Sequence, residues 1–186
     1  SDKKITNVLS DKFTHLLRYK NDALMVTYKT LNQDNSKLNC RIKGLSNFSP
    51  KRIILDNKLQ TKISNYVIKT ANKDNTIIFY NQADKSKILD FKKKKIQLIR
   101  SKVNEQGKFD IKVILKKLYK FNCRNLLIEG GDSLTSHLLK NRIFNKFYLY
   151  KSPKNLSKKT EYLKFNSLDV LKKNYKNKFN LNLFLG

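Results

Sequence analysis

The chain holds 186 residues, 39% of them hydrophobic and 11% aromatic, enough to bury the core of one domain and too apolar for a disordered segment. No stretch approaches the roughly 20 consecutive apolar residues that a membrane helix requires, and the opening SDKKITN does not read as a secretory signal. Lysine and arginine total 41 against 14 acidic residues, a formal charge of +27 that first suggests nucleic acid, but lysine is scattered over every segment and asparagine is also frequent, a pattern of compositional drift more than of a binding stripe.

Apolar runs and helix-like stretches then take turns. Residues 6–19, TNVLSDKFTHLLRY, place Phe13, Leu16 and Leu17 at helical spacing, with Thr6 or Ser10 as the cap. ALMVTY reads as a buried strand and KRIILD, after the breaker Pro50, as another. SNYVIKTA is expected to form a helical turn, TIIFY a strand, SKILDF a short helix and IQLIR a strand. The lysine run 92–95 reads as a solvated loop between elements. FDIKVILKKLYKF sets Ile111, Ile114, Leu115 and Leu118 on one helical face. RNLLIE, KFYLY and NLNLFL read as strands, and SLTSHLLK and LDVLKKNY as helices. The alternation predicts one α/β domain with a largely parallel sheet covered by helices on both faces.

Three stretches could carry chemistry. In IEGGDSL an apolar strand feeds a helix through Gly130-Gly131, so the N–H groups of Gly131, Asp132, Ser133 and Leu134 could cradle a phosphate. An ordinary strand-to-helix turn with Ser133 as N-cap explains the same letters. Glu129 falls at the carboxyl end of its strand, where open α/β sheets hold their ligands. In VTYKTLNQDNSKLNCR, Thr30, the Asp34-Asn35-Ser36 turn and Arg41 could grip a ribose and a phosphate, or Asp34 could simply close an Asx-turn on its own backbone. Asp56-Asn57 ends a further strand. Cys40 and Cys123 lack CxxC or Cys/His spacing, which indicates a reducing cytoplasmic setting, core thiols and no structural metal. His15 and His137 read as surface or partly buried helical residues, and Tyr148 and Tyr150 as packing or oligomer contacts on one face of a strand.

The stretches ITN, LLR, DALMV, KT, QDNSKLNCR, RIILDNKLQT, LLIEGGDSL and YKSPKNL occur in the order of one family pattern. Over residues 4 to about 157 the chain resembles the reductase domain of riboflavin biosynthesis, usually the carboxyl-terminal half of a bifunctional pyrimidine deaminase–reductase. The resemblance implies a dihydrofolate reductase-like fold, with a mixed, mostly parallel central sheet and helices on both faces. It implies NADPH-dependent reduction of 5-amino-6-(5-phospho-D-ribosylamino)uracil to its ribitylamino form. By position, Thr30, Asp34, Asn57 and the run Gly131, Asp132, Ser133, Leu134 and Thr135 would contact NADPH. Arg18 and Arg41 would clasp the substrate phosphate, Leu38 would touch substrate through its backbone, and Glu129 would face the reacting sugar and assist proton transfer. Homodimers are usual in the family.

The family's first strand, with a lysine and an A-S-x-D-G loop, lies upstream of Ile5 in the pattern, so the chain is expected to be part of a longer polypeptide. A deaminase half would precede it, since neither H-x-E nor P-C-x-x-C occurs here. The alternatives are the sibling reductase acting on a diamino-pyrimidinone, a basic nucleic-acid module, and a reductase-like fold kept without catalysis.

Overall fold

A strand buried on both faces needs consecutive apolar residues, and Ala23–Thr27 (β1) meets that demand with four fully enclosed side chains in a row. In the computed structural model, which describes residues 8–151, 167–174 and 181–185, this strand lies inside a five-stranded sheet. Lys51–Leu55 (β2) pairs with it in parallel, followed outward by Thr76–Tyr80 (β3) and Gln97–Arg100 (β4). Leu126–Ile128 (β5) pairs with the other edge of β1, giving the order β4-β3-β2-β1-β5. Every ladder in this sheet is parallel, and each carboxyl end therefore opens on the same edge.

Register sets the two faces. Val26 lies beside Ile54 and Ile54 beside Ile78, while Met25, Ile53 and Ile77 form the row on the opposite face. The first row packs with Leu31 from Tyr28–Asp34 (α2), Val67 and Ile68 from Tyr66–Lys69 (α3) and Phe91 from Lys85–Lys93 (α4). Enclosing each of these large side chains contributes roughly 1.5–3 kcal/mol. Ile111–Lys120 (α5) buries Ile111, Ile114 and Leu118 as its spacing predicts, and Asp110 caps it by accepting from the N–H groups of Lys112 and Val113. At the amino end of the sheet, buried Arg52 donates to Thr70 O and Oγ1, Thr76 Oγ1 and Asn75 Oδ1, so a cation without a carboxylate joins β2, β3 and the end of α3.

The chain divides into two compact units, residues 15–130 and residues 1–14 with 131–186. The sheet just described belongs to the first, and Val8–Tyr19 (α1) crosses the boundary in sequence. In the second unit, Asp132–Lys140 (α6) packs with Ser167–Asn174 (α7), and Phe147–Lys151 (β6) pairs in parallel with Leu181–Leu185 (β7). Tyr148 meets the Phe13 ring edge-on and the Tyr150 hydroxyl accepts from Thr14 Oγ1, so both tyrosines pack against the first turns of α1.

Several sequence expectations need correction. Ser10 lies inside α1, buried, with its carbonyl accepting from Thr14 Oγ1, so it is not the cap; Thr6 falls outside the described residues. Lys92–Lys95 is not a loop. Its first half is the last turn of α4, where cations complement the helix dipole, and Lys95 takes the left-handed conformation that stops the helix. Tyr28, expected to end the strand ALMVTY, instead begins helix α2, and Asp34, expected to open a polar turn, is its last residue, because Thr27 supplies a side-chain cap and Leu31 an apolar anchor.

Candidate active site at the carboxyl ends of the strands

Beyond the open edge of the sheet, three strands deliver polar groups in a row. Glu129 follows β5, Thr27 closes β1 and Asp56-Asn57 follow β2. The Glu129 N–H still pairs with Met25 O at 3.0 Å, so its side chain leaves from backbone that the sheet holds in place.

Arg18, in the last turn of α1, meets Glu129 fork to fork. Nε donates to Oε1 and Nη2 to Oε2, each at 2.8 Å, while Nη1 donates to Asn39 O at 3.2 Å. All three nitrogens of this buried guanidinium are therefore engaged, and the residue works as a bracket joining α1, the end of β5 and the loop after α2. Arg41 differs. It is exposed, and its guanidinium has no partner among the described residues. The two arginines expected to share one phosphate thus occupy unlike settings, one committed to protein and one open to a ligand.

The loop between them carries strain. Thr27 Oγ1 accepts from the Thr30 N–H and lies 3.2 Å from Thr30 Oγ1, which starts α2 directly at the end of β1. Asn35 ends that helix in the left-handed region, and its Oδ1 accepts from the Tyr66 N–H. Leu38 then adopts φ 54° although it is enclosed and branched, a conformation that costs about 1 kcal/mol or more outside glycine. Neighbouring contacts hold it there. The Cys40 N–H donates to Ser49 Oγ, the Arg41 N–H reaches His15 Nδ1 at 3.2 Å, and Asn39 O receives Arg18. The Asn39 side-chain oxygen is buried and lacks a hydrogen-bond partner among the described residues.

Asp34, at the end of α2, is exposed and forms no hydrogen bond in its own turn, so the Asx-turn explanation is not what the structure shows. Thr30 is half-buried on the first turn of the same helix. Asp56 is fully enclosed and accepts from Gln60 N, Thr61 N and Thr61 Oγ1, which makes it a turn builder. Asn57 donates from Nδ2 to Gly107 O at 3.0 Å, pinning the loop after β4. Gly107 sits at φ 71°, and a side chain there would meet Asn57 Nδ2 at 3.1 Å, so glycine is needed at that contact.

In the second unit, α6 starts at Asp132 with Gly131 as its N-cap, so Ser133 is inside the helix and no side chain caps it. Gly131 has φ −67° and open space where a side chain would begin, so neither its backbone conformation nor its packing demands glycine. Asp132 accepts from the N–H and hydroxyl of Ser167, fastening the start of α7; Ser133 is exposed, and Leu134 and Thr135 are half-buried. His137 remains a bland helical residue whose carbonyl accepts from Asn141.

The residue that sequence reasoning missed is His15. It is only 4% exposed, and its ring touches the loop that carries Leu38 and Arg41. A signal existed: His15 lies three residues before Arg18 on one helix, so the two share a face. Cys40 and Cys123 are both buried free thiols, and burial pushes Cys123 up from its ordinary value, with nearby Lys51 opposing and Asp22 adding. Among the described residues no helix is long and apolar enough to cross a membrane.

Residues 1–177 match the family model described as the RibD C-terminal domain. The riboflavin biosynthesis protein RibD of Actinobacillus pleuropneumoniae is 31% identical over 74% of this chain and 36% of its own length. The 2,5-diamino-6-ribosylamino-4(3H)-pyrimidinone 5′-phosphate reductase of Debaryomyces hansenii is 30% identical over 73% of this chain and 60% of its own. Among solved structures, a diaminohydroxyphosphoribosylaminopyrimidine deaminase/5-amino-6-(5-phosphoribosylamino)uracil reductase from Thermotoga maritima superposes with a TM-score of 0.56. It is 26% identical, covering 75% of this chain and 36% of the other. The chain thus spans about two fifths or less of the RibD relatives it matches, and its mostly parallel α/β fold is that of the dihydrofolate reductase-like reductases, as expected.

Proposed function

The chain belongs to the RibD C-terminal domain family, and from that premise we propose that it is the NADPH-dependent reductase module for 5-amino-6-(5-phospho-D-ribosylamino)uracil in riboflavin biosynthesis. One observation supports this most directly: Arg41, exposed and with a guanidinium that meets no partner among the described residues, stands on a strained loop that the Arg18–Glu129 ion pair braces at the carboxyl edge of the sheet.

The donor set suits a nicotinamide dinucleotide. Thr30 offers a hydroxyl, Asp34 a carboxylate free of internal bonds, and Asn57 an amide beyond the end of β2, groups that pair with ribose hydroxyls and carboxamide. Gly131, Asp132, Ser133, Leu134 and Thr135, at an amino-terminal helix end, are the proposed pyrophosphate segment. When bound, the cofactor supplies a hydride from nicotinamide C4 to C1′ of the ring-opened sugar imine.

The chain's own residues hold the acceptor. Arg41 carries the phosphate, for which a guanidinium fork fits better than an ammonium. Leu38 presents backbone, and Glu129, kept in one orientation by Arg18, faces the sugar and orients the group or water that protonates the imine nitrogen, which stays bonded to C1′. Positioning of this sort supplies much of the rate for hydride transfer. A homodimer in the cytoplasm completes the proposal.

Turnover settles it. The chain with NADPH should convert the phosphoribosylamino-uracil to a product two mass units heavier. Preference for the 2,5-diamino-pyrimidinone instead would move it to the sibling activity, and turnover of neither would overturn the assignment.

A further inference from the structure

His15 Nδ1 lies between a donor and an acceptor, with Arg41 N–H at 3.2 Å and Asn39 C=O at 3.1 Å. One ring nitrogen cannot accept and donate at once. Asn39 O is already served by Arg18 Nη1, whereas the Arg41 N–H has no other partner among the described residues. Leaving this part-buried N–H unmatched would cost free energy, so the lone pair of Nδ1 belongs to Arg41 and the ring carries no proton at that nitrogen.

We propose that His15 is a positioning residue, which fixes the backbone of Arg41 and thereby aims the guanidinium that receives the substrate phosphate. The inference rests on the reductase assignment above for the identity of the ligand, though not for the hydrogen bond. Three facts carry it. The imidazole is buried, so it is held in place. It bonds the backbone at the root of the one site arginine left open to solvent. And Arg18, paired with Glu129, holds Asn39 O two residues before Arg41, so the phosphate loop is restrained at both points, by Arg18 at Asn39 and by His15 at Arg41. Leu38 at φ 54° needs such restraint, since a strained loop released at one end relaxes.

The test uses the full chain with His15→Phe, which keeps ring volume and removes the acceptor, and His15→Asn, whose Oδ1 can stand near the place of Nδ1. In the Phe variant, KM for the phosphoribosylamino-uracil should rise roughly tenfold, the effect of one lost hydrogen bond in the binding step. Its kcat and its KM for NADPH should stay within about threefold of the parent, and Asn should restore most of the substrate KM. An unchanged substrate KM, a parallel loss in both KM values, or no recovery with Asn overturns the proposal. If the Phe variant does not fold, the Asn variant and the nitrogen spectrum of the parent imidazole decide: a proton on Nδ1 refutes the assignment, and a bare Nδ1 with a slowly exchanging Arg41 amide upholds it. A parent chain with that intact bond but no turnover sinks the reductase assignment instead, so the two failures are distinct.

Discussion

Arginine appears in three roles in this chain, and burial separates them. Arg41 is exposed and open, Arg18 is buried against a carboxylate, and Arg52 is buried with none. Burial lowers the Arg52 guanidinium from its ordinary value, with Tyr66 opposing, and neutral acceptors on Thr70, Asn75 and Thr76 compensate. Arg52→Met should therefore destabilise the fold by about 3 kcal/mol, measured by denaturant unfolding, because several acceptors lose their donor together. Arg41→Ala should leave stability within about 0.5 kcal/mol and raise the substrate KM roughly tenfold to hundredfold, the usual range for a charge-assisted contact. Equal weakening of substrate and NADPH would contradict its proposed place. Sequence alone made Arg18 and Arg41 look alike, since nothing in LLR or CR tells which guanidinium meets a carboxylate more than a hundred positions away.

Burial of Cys123 gives a pH signature. Its thiol is raised in the folded chain, so below the ordinary thiol range both states keep the proton and nothing changes. As pH climbs through that range, the unfolded chain releases its proton first, and folding loses free energy. Unfolding midpoints should fall with rising alkaline pH, and fall less in Cys123→Ala; identical slopes would show that the thiol is not the source.

Elements were easier to foresee than caps and connections. TIIFY matches β3 residue for residue, and the buried face of α5 follows its 3.6-residue spacing, because long apolar patterns are local and cumulative. Helix α2 escaped notice because its seven residues bury one leucine and carry no periodic face. The lysine run was misread as solvent loop because charge does not distinguish a helix end from a connection. Asp110 offers a check on the local physics. Replacing it with alanine removes the cap of α5 and should cost about 1 kcal/mol, a fall in thermal midpoint without loss of the folded spectrum. An unchanged midpoint would mean that tertiary packing alone fixes where α5 begins.

Across the whole molecule, the +27 charge and the arrangement of the sheet act on different steps. A positive field would draw the proposed phosphorylated substrate toward the protein and is screened by salt, so the substrate KM should rise with ionic strength while kcat stays level. A kcat that falls in parallel would place salt on the fold instead. The parallel sheet was legible from alternation, and the family from eight short stretches in order. The left-handed Leu38 and the histidine behind Arg41 were not, since they depend on loop closure and on contacts between α1 and a segment over twenty residues away. The central claim is that this edge delivers a hydride to a sugar carbon, and isotope tracking tests it most directly. With NADPH deuterated at the transferred position of C4, the ribitylamino product should carry one deuterium, bound at C1′. Product without deuterium, or deuterium at another carbon, would contradict the account.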